Sequence, residues 1–548
     1  MNKNVKNILS LNIELIKYKP MLFLSNFIIW LLISLLPLIS SIVVKKAFNV
    51  LSIGLFKEYF LLGIILFLLG AINGILIKYG GIVDTASRFY CGQLAKKNFI
   101  SKLIINKKIK IKSVGNIIDI IESDLSTIEE LISCEIDLLC KIIFFIIALI
   151  ILLNINFKIT VYGLIPLIML SNIIWLLGNK YKKKYELKRK YNLNYTMFLT
   201  EIINNREAIQ FLSEKENIIS TLSKRCDLRE KYSINNNIFC KIADSGITFI
   251  NNLSVGLLLF LSIDYFNNSS LSIGDFTLFI NYFTYGFVYL EVFNEVFSNL
   301  KYCEDALIRI SNILKTNFNN TVRILGNKLD IENYYVKNYK NSSALLKFKN
   351  FKLSYKDEYH NIEINKNQLI GLSGKNGSGK SRFINCILGY SKFEGYIYYK
   401  NKDITKNNCI FSYIPQETYF FNETIENNIN VFKENIDIEE SCKVANLKDN
   451  IGNWDIYSNK LIGVNAKQLS EGQRQRLAIA RGIATKSDLI IIDDGFSFLD
   501  KDNINSILKN LMKCGKTILI ATNDPNILNL CDKILYFDNL KIVKYKEN

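Results

Sequence analysis

The feature that most constrains the fold is a set of long apolar runs within roughly the first 300 residues. A helix needs roughly 20 apolar residues, at 1.5 Å each, to cross the core of a bilayer. We expect six membrane spans: Met21–Val44, Tyr59–Tyr79, Leu138–Leu153, Ile159–Leu177, Gly246–Phe266 and Phe276–Phe297. The number and length of these runs argue against a buried helical bundle in a soluble protein.

The connections between the predicted spans alternate between short and long. The long connections hold 8 lysines and arginines within residues 82–137 and 14 within residues 180–245. The short connections hold four, Lys45, Lys46, Lys57 and Lys158. The positive-inside rule therefore predicts that the long connections and both termini lie in the cytosol, with the spans in the cytoplasmic membrane. Lys45 and Lys46 lie just outside the first span and are mild exceptions.

Composition limits the other classes of function. The net charge of +18 could indicate binding to nucleic acid, but basic cytosolic faces of a membrane protein explain it, and we predict no nucleic acid partner. The 11 cysteines are scattered without a Cys-x-x-Cys pair, so we expect reduced thiols. The single histidine, His360, argues against a His-rich metal site. The first apolar run is too long for a cleavable signal.

The chain changes character after the apolar runs. At 548 residues it is too long for a single core, so two or more domains are expected. Residues 312–343 are rich in Asn, Lys and Tyr without periodicity, which predicts a linker between domains 1–311 and 344–548. The long connections contain few glycines, and no proline, which fits spans that continue into the cytosol as helices.

A glycine-rich motif dominates the C-terminal domain. QLIGLSGKNGSGKSRFINCIL passes from an apolar strand through a turn into a helix-compatible run, and it contains G-x-x-x-x-G-K-[ST]. In such a loop the glycines let backbone N–H groups approach phosphate, Lys380 reaches the terminal phosphates and Ser381 binds Mg²⁺. The predicted nucleotide-binding residues of this stretch are Gly374, Asn376, Gly377, Ser378, Gly379, Lys380, Ser381 and Arg382.

Two further motifs follow the phosphate loop. The apolar stretch Asp488–Asp493 predicts a buried strand whose last carboxylate can hold Mg²⁺, and Asp494 and Asp500 come after it. LSEGQRQRLAIARG lies between the loop and this strand. Ser470 can cap its helix while Gln473 reaches back, as in a capping box. The serine and glycine at a helix start can also present donors to a phosphate.

Together these motifs resemble those of the ATP-binding cassette (ABC) exporters. LSEGQ, formed by Leu469, Ser470, Glu471, Gly472 and Gln473, is similar to the LSGGQ signature of the family. The resemblance covers nearly the whole chain and implies a half-transporter. The expected fold is therefore an all-α six-span membrane domain with long cytosolic helical extensions, followed by an α/β phosphate-loop cassette.

The resemblance also implies roles for other residues. Tyr355 is similar to the aromatic residue that stacks on adenine, and Gln416 to the glutamine that contacts Mg²⁺ and the membrane domain. Ser497, Leu499 and Asp500 correspond to the loop that crosses the dimer interface. The segments that begin at Val114 and at Glu201 look like the two cytosolic coupling segments.

Several residues depart from the family pattern. Asp494 stands where the family usually has the glutamate that polarises the attacking water. Its carboxylate lies on the order of an ångström short, which can cost roughly a hundredfold in rate unless the backbone adjusts. Asn523 stands in place of a histidine that contacts the γ-phosphate, and asparagine cannot become a cation. Arg382 replaces a small hydroxyl residue. Val464 and Ala466 stand where exporters tend to carry Glu and Gly.

The resemblance implies ATP-driven export of an amphipathic drug, lipid or small peptide across a lipid bilayer, with ATP and Mg²⁺ as cofactors. Two cassettes pair head to tail, so Asp494, Asn523 and Gln416 would act on this chain's ATP and LSEGQ on the partner's. We expect a heterodimer in which this site is impaired, or alternatively a slow homodimer. A non-pumping regulatory or immunity subunit is the other alternative. Glu291, Glu295, Asn251 and Asn252 are candidates for the substrate path.

Overall fold

The protein is represented here by a computed structural model. It describes residues 3–107, 109, 114–267, 271–327, 344–355, 357–405, 411–431, 438–448, 460–485, 487–496 and 498–547. The chain folds as two compact units, Met1–Leu329 and Asp330–Asn548. Each unit has hydrophobic clusters of its own and is described by itself.

The first unit is helical throughout its described elements. They are α1 (Lys3–Tyr18), α2 (Pro20–Ile53), α3 (Phe56–Ile105), α4 (Val114–Asp119), α5 (Leu125–Ile155), α6 (Phe157–Asn204), α7 (Arg206–Gln210), α8 (Lys215–Asn267), α9 (Ile273–Leu314) and α10 (Phe318–Gly326). A π-helical turn, Ile120–Asp124, joins α4 to α5. Each of the six predicted spans lies inside one long helix, namely α2, α3, α5, α6, α8 or α9.

Among the described residues, three helical segments are long and apolar enough to cross a membrane: Pro20–Ile53, Phe56–Ile105 and Val114–Ile155. A shorter apolar stretch, Thr248–Ile263, lies within α8. The count of six crossings stays a prediction.

The long connections are helical, as their composition predicts. α3 continues to Ile105, α6 continues to Asn204, and α8 begins at Lys215, well before the apolar stretch that it carries. The segment predicted for coupling from Glu201 contains the short helix α7, and the one from Val114 contains α4 and the π-helical turn. The long connections contain few glycines and no proline, so the helices continue through them without a break.

The start of the predicted linker differs from expectation, because it is helical and packed. α9 continues to Leu314, and α10 packs against α1 and α3. Thr321, Val322 and Leu325 of α10 are buried. Their spacing places them on one helical face, a pattern that the surrounding polar residues conceal in the sequence. Residues 328–343 lie outside the described part of the chain.

A buried carboxylate joins three helical elements of this unit. Asp124, at the end of the π-helical turn, is 0% exposed. Arg309 of α9 donates to it from Nε at 2.9 Å and from Nη2 at 2.7 Å, and Nη2 of Arg189 of α6 lies 2.6 Å away. A buried charge is stable only when it is paired and hydrogen-bonded. These arginines therefore fix α6 and α9 against the start of α5.

The second unit combines two sheets with short helices. Its strands are β1 (Ala344–Lys352), β2 (His360–Asn365), β3 (Leu369–Ser373), β4 (Glu394–Tyr399), β5 (Lys402–Asp403), β6 (Ser412–Ile414), β7 (Leu489–Asp493), β8 (Thr517–Ala521), β9 (Lys533–Asp538) and β10 (Lys541–Glu547). Its helices are α11 (Lys380–Leu388), α12 (Ile425–Asn430), α13 (Ile438–Val444), α14 (Glu471–Ala484), α15 (Lys501–Lys513) and α16 (Pro525–Leu528).

The larger sheet has the order β10-β9-β3-β8-β7-β6, and its strands run parallel from β9 to β6. The smaller sheet, β2-β1-β4-β5, is antiparallel. β3, β7 and β8 are buried along almost their whole length, as expected for parallel strands covered on both faces. The carboxyl ends of the parallel strands share one edge of the sheet.

The cysteines in the described part of the chain are all free thiols. Cys386, Cys442 and Cys531 in the second unit are buried, and burial raises the pKa of each thiol to about 12. These thiols are therefore protonated at neutral pH.

Candidate functional site

The loop between β3 and α11 has the backbone geometry of a phosphate-binding turn. Gly374 has a φ of 153° and Gly379 a φ of 120°, values that favour glycine. A Cβ on Gly374 would lie 2.3 Å from the carbonyl oxygen of Phe537, so no side chain fits there. Because α11 begins at Lys380, its first N–H groups face the loop. The predicted order of strand, turn and helix is confirmed.

The side chain of Lys380 lies across this loop. Its Nζ donates to the carbonyl oxygens of Gly374 and, at 3.5 Å, Lys375. It also donates to Oδ1 of Asn523 at 3.3 Å, and the same oxygen accepts from the N–H of Gly374 at 3.2 Å. Asn523, which follows β8, is thus brought to the phosphate loop at two points.

Two of the three residues predicted to bind Mg²⁺, Ser381 and Asp493, lie side by side. Ser381 Oγ donates to Asp493 Oδ1 at 3.3 Å although the residues are 112 positions apart. Burial raises the pKa of Asp493 above its usual value, and neighbouring Asp494 adds to the rise, while Ser381 and Lys380 oppose it. Hydroxyl and carboxylate oxygens suit Mg²⁺, and a cation would relieve this crowding of negative charge, so the residues fit the metal.

Asp494 occupies an unusual backbone conformation at the end of β7. Its φ is 55°, in the left-handed region that aspartate tolerates better than most residues. Its N–H donates to the carbonyl oxygen of Ala521 in β8 at 3.2 Å. The peptide is therefore tied to the neighbouring strand, and the exposed carboxylate extends from a backbone that the sheet holds in place.

The remaining residues of the predicted nucleotide site surround the loop. Asn376 and Gly377 are exposed at its tip, whereas Ser378 is buried. Gln416 is exposed two residues beyond β6, at the same edge of the sheet as Asp493. The ring of Tyr355 is 80% exposed, which suits a stacking surface.

Arg382 extends towards the chain that precedes Tyr355. Its Nε donates to the carbonyl oxygen of Leu353 at 3.1 Å. The additional cation thus anchors α11 to the segment that follows β1.

The LSEGQ motif forms the start of α14, as predicted. Ser470 Oγ accepts from the N–H of Gln473 at 3.3 Å, and Gln473 Oε1 accepts from the N–H of Ser470 at 2.9 Å. The capping box is therefore confirmed. Leu469 is buried, Glu471 pairs with Arg474, and a Cβ on Gly472 would lie 3.2 Å from the carbonyl oxygen of Phe498.

The loop that follows β7 lies against this helix. Gln475 Oε1 accepts from the N–H of Phe498 at 3.1 Å, and Arg476 Nη2 lies 3.8 Å from Asp500 Oδ1. Leu499 is 9% exposed and Asp500 is the N-cap residue of α15. Ser497 lies outside the described residues.

The segment before the motif retains a glycine-like backbone. Ala466 has a φ of 53°, a conformation that favours glycine, and it stands where the resemblance predicts glycine. Val464, in the same short 3₁₀ turn, is 67% exposed. Because alanine replaces the glycine that the resemblance predicts, Ala466 adopts a strained backbone conformation.

Arg481 was missed by the sequence interpretation. Its Nη1 donates to the carbonyl oxygen of Tyr419 and its Nε to that of Asn428, both at 2.8 Å. Its guanidinium also lies 4.6 Å from the ring centroid of Phe420. Arg481 thus joins α14 to the segment that follows Gln416. The sequence feature that could have identified Arg481 is a cation on the otherwise apolar face of an amphipathic helix.

The single histidine, His360, contacts a buried carboxylate. Its Nε2 lies 3.0 Å from Asp357 Oδ1, which also accepts from the N–H of Ile542 at 3.1 Å. His360 therefore belongs to a structural contact between β2 and β10.

Comparisons with known proteins agree with this arrangement. A family profile described as "ABC transporter transmembrane region" matches residues 20–290, and one described as "ABC transporter" matches residues 358–497. The chain belongs to the ABC transporter family. The predicted fold class, a helical membrane domain followed by an α/β cassette, is confirmed.

Relatives and a solved structure extend the comparison. An export ATP-binding/permease protein of Rickettsia typhi is 29% identical in an alignment of 318 positions that covers 53% of this chain and 52% of that protein. The multidrug resistance-like ATP-binding protein MdlA of Buchnera aphidicola is 27% identical in an alignment of 414 positions that covers 71% of this chain and 69% of that protein. A bacterial Atm1-family ABC exporter with ATP bound has the same fold, with a TM-score of 0.82 at 16% identity over 95% of both chains. The match to the Rickettsia typhi protein spans about half of its length.

Proposed function

We propose that this chain is one half of a dimeric, ATP-driven exporter in the cytoplasmic membrane. The observation that carries the proposal is the joint placement of Lys380, Ser381 and Asp493 at one edge of a parallel sheet, in a chain that also has an ABC transmembrane region. The cargo would be an amphipathic drug, lipid or small peptide. The name of the Buchnera aphidicola relative, which refers to multidrug resistance, supports this class.

The phosphate loop would bind ATP through backbone N–H groups and Lys380. Ser381, Asp493 and Gln416 would hold Mg²⁺, which neutralises phosphate charge when bound. Tyr355 would stack on the adenine. These residues bind and orient the nucleotide, whereas turnover also needs a group that positions the attacking water.

The water-positioning side of this chain's own site is where we propose an impairment. Asp494 is shorter than glutamate, and its backbone is tied to Ala521 by the 3.2 Å hydrogen bond, which limits any adjustment towards the nucleotide. Asn523 can donate and accept hydrogen bonds but carries no charge. We therefore infer that this site binds ATP and cleaves it slowly.

The capped LSEGQ motif favours a contribution to a second site. Ser470 and Gly472 at the start of α14 can present donors to a phosphate held by a partner cassette. A heterodimer whose partner supplies glutamate and histidine would use both features of this chain. The alternative is a slow homodimer. A chain that binds ATP without pumping is favoured by the same two replacements, Asp494 and Asn523.

The side-chain oxygen of Asn251 is buried with no hydrogen-bond partner among the described residues, which supports a role near a polar substrate. Asn252 is exposed in the same helix. The side chains of Glu291 and Glu295 lie outside the described residues, so their place in the path stays a prediction.

The decisive experiment measures Mg-ATP turnover and ATP binding on the same purified chain in lipid. The proposal predicts firm ATP binding with little turnover, and a large rise in turnover when a partner chain with glutamate and histidine is added. Turnover at ordinary exporter rates by the chain alone, abolished by Asp494→Asn, would contradict the impaired site. Failure to bind ATP at all would contradict the cassette function itself.

A further inference from the structure

Lys46 and Lys57 lie in the first short connection, at the end of the first helical hairpin. Lys45, the neighbouring exception, has an internal partner, because its Nζ lies 2.5 Å from Asp275 Oδ1. Lys46 and Lys57 have no ion pair within the part of the chain that the structure describes. Their charges therefore lack an explanation from the folding of this unit.

Both lysines line the same cleft, between the end of α2 and the start of α3. The cleft has a volume of about 540 Å³. Its lining includes Lys46, Asn49, Lys57, Glu58, Leu61 and Leu62. One wall is fixed to α9, because Asn49 Oδ1 accepts from the N–H of Gly274 at 2.9 Å. The cleft is thus built on packed helices.

The charges of the cleft have both signs and do not neutralise one another. Glu58 has no ion pair within the described residues, although Lys57 precedes it and Lys46 lines the same space. Adjacent residues of a helix point in different directions, so Lys57 and Glu58 cannot readily pair. Two ammonium groups and one carboxylate are therefore available to a ligand that carries a phosphate and a cation.

The rest of the lining is apolar and continues along α3. Leu61 is 59% exposed, and on the same helix Phe56 and Phe60 are 73% and 72% exposed. In the most apolar stretch of α3, 18 residues long, no residue is buried inside the described part of the unit. A ligand that occupies the cleft can therefore extend hydrocarbon along this helix, as an acyl chain would.

We propose that this cleft binds the headgroup of an aminophospholipid of the phosphatidylethanolamine type. Lys46 and Lys57 contact its phosphate, Glu58 accepts hydrogen bonds from its primary ammonium, and Leu61 and Leu62 contact its acyl chains. Phosphatidylglycerol lacks the ammonium, and the quaternary ammonium of phosphatidylcholine has no N–H to donate. The site depends on insertion of the chain into a membrane and is independent of ATP turnover.

The test uses the full-length chain, equilibrated in mixed micelles with equimolar phosphatidylethanolamine, phosphatidylglycerol and phosphatidylcholine. Native mass spectrometry then counts the lipids that each chain retains. The wild type is expected to retain phosphatidylethanolamine in preference to both others. The double variant Lys46→Gln/Lys57→Gln should retain it about fivefold less, the effect of losing exposed charge pairs. Lys158→Gln is the matched control, because Lys158 is exposed in another short connection away from the cleft.

A charge change at the carboxylate sharpens the test. Glu58→Gln should reduce retention of phosphatidylethanolamine and increase that of phosphatidylglycerol, so the order of preference reverses. ATP binding by every variant is measured on the same samples and reports an intact cassette.

Equal retention of the three lipids by the wild type would overturn the proposal. Unchanged retention in the double lysine variant would also overturn it, as would an unchanged order of preference in Glu58→Gln. If lipid retention falls as the fraction of dimer rises, the cleft is a contact between two chains and not a lipid site. If free glycerophosphoethanolamine, which has no acyl chains, displaces the lipid, the proposed contacts of Leu61 and Leu62 with acyl chains are wrong.

Discussion

The two sides of the candidate nucleotide site differ in how they are built. On the phosphate side, Lys380 contacts the loop and Ser381 contacts Asp493, so groups from α11, the end of β7 and the loop after β3 are already adjacent. On the water side, Asp494 is a short acid on a fixed backbone and Asn523 is an uncharged amide. Under the proposed function, the residues that hold the nucleotide would differ from those that position the attacking water, although Asn523 also contacts Lys380.

The largest effect should come from removing the cation of the phosphate side. Lys380→Ala should lower ATP affinity by at least about a hundredfold, because charge-assisted hydrogen bonds to two phosphates are lost. Isothermal titration with ATP measures the change. Lys375→Ala is the control, since Lys375 is exposed in the same loop, and it should leave affinity nearly unaltered. Similar losses in both variants would mean that the loop simply needs positive charge.

Restoring the water side should change turnover and leave affinity alone. Asp494→Glu combined with Asn523→His should raise the rate of Mg-ATP hydrolysis by about a hundredfold, because a misplacement of about 1 Å can cost that factor. The matched control combines Asp494→Asn with Asn523→His. A rate that stays low in the restored variant would show that something other than these two groups limits hydrolysis, and the proposed contrast between the sides would fail.

The raised pKa of Asp493 predicts a smaller effect that depends on pH. In the folded chain the ionised carboxylate is disfavoured by burial, so the stability contributed by this group is present at low pH and falls as pH rises through its raised pKa. Mg-ATP should reverse this loss, because Mg²⁺ needs the ionised form.

Thermal unfolding at pH values that rise from the ordinary aspartate pKa of about 3.9 to neutral, with and without Mg-ATP, measures both trends. Without nucleotide, the stability of the Asp493→Asn variant should no longer fall as pH rises. The affinity of this variant for ATP in the presence of Mg²⁺ should be lower by about tenfold or more. Asp488→Asn, just before the same strand, is the contrasting variant: against the effect of burial, Lys400 lowers the pKa of Asp488, so its loss should change the pH dependence in the opposite direction. Equal pH dependence in the wild type and Asp493→Asn would contradict this interpretation.

The smallest effect concerns the cap of the signature helix. Ser470→Ala should lower the free energy of unfolding by about 1 kcal/mol, because the hydrogen bond that Ser470 Oγ accepts from the N–H of Gln473 is lost. Thr424→Ala, which removes the cap of α12, should cost a similar amount. Only Ser470→Ala should also slow turnover at a partner's site, so an equal loss of turnover in both variants would assign the effect to stability alone.

Features that depend on neighbours in the sequence could be predicted well. The phosphate loop between β3 and α11 is specified by glycines a few positions apart, and the capping box joins Ser470 to Gln473 within one turn. The apolar runs predicted the positions of the long helices because a bilayer imposes a length on them.

Features that join distant positions were not visible in the sequence. Asp124 pairs with Arg189 and with Arg309, which is 185 positions away, and no local pattern marks the pairs. Arg481 reaches Tyr419 across 62 positions. Contacts of this kind depend on how helices and strands pack, and packing is decided by the whole set of buried side chains. The contact of Asn523 with Lys380 belongs to the same class.

The buried thiols of the cassette have a practical consequence for chemical labelling. A maleimide reacts with the thiolate, and thiols whose pKa is about 12, such as Cys386, Cys442 and Cys531, hold almost none of it at neutral pH. Five cysteines then need replacement: the half-buried Cys134, Cys226, Cys240 and Cys514, and Cys409, which lies outside the described residues. A single cysteine placed at exposed Phe498 would carry a fluorophore in an otherwise native core, and the approach of two cassettes could be followed as a change in its emission.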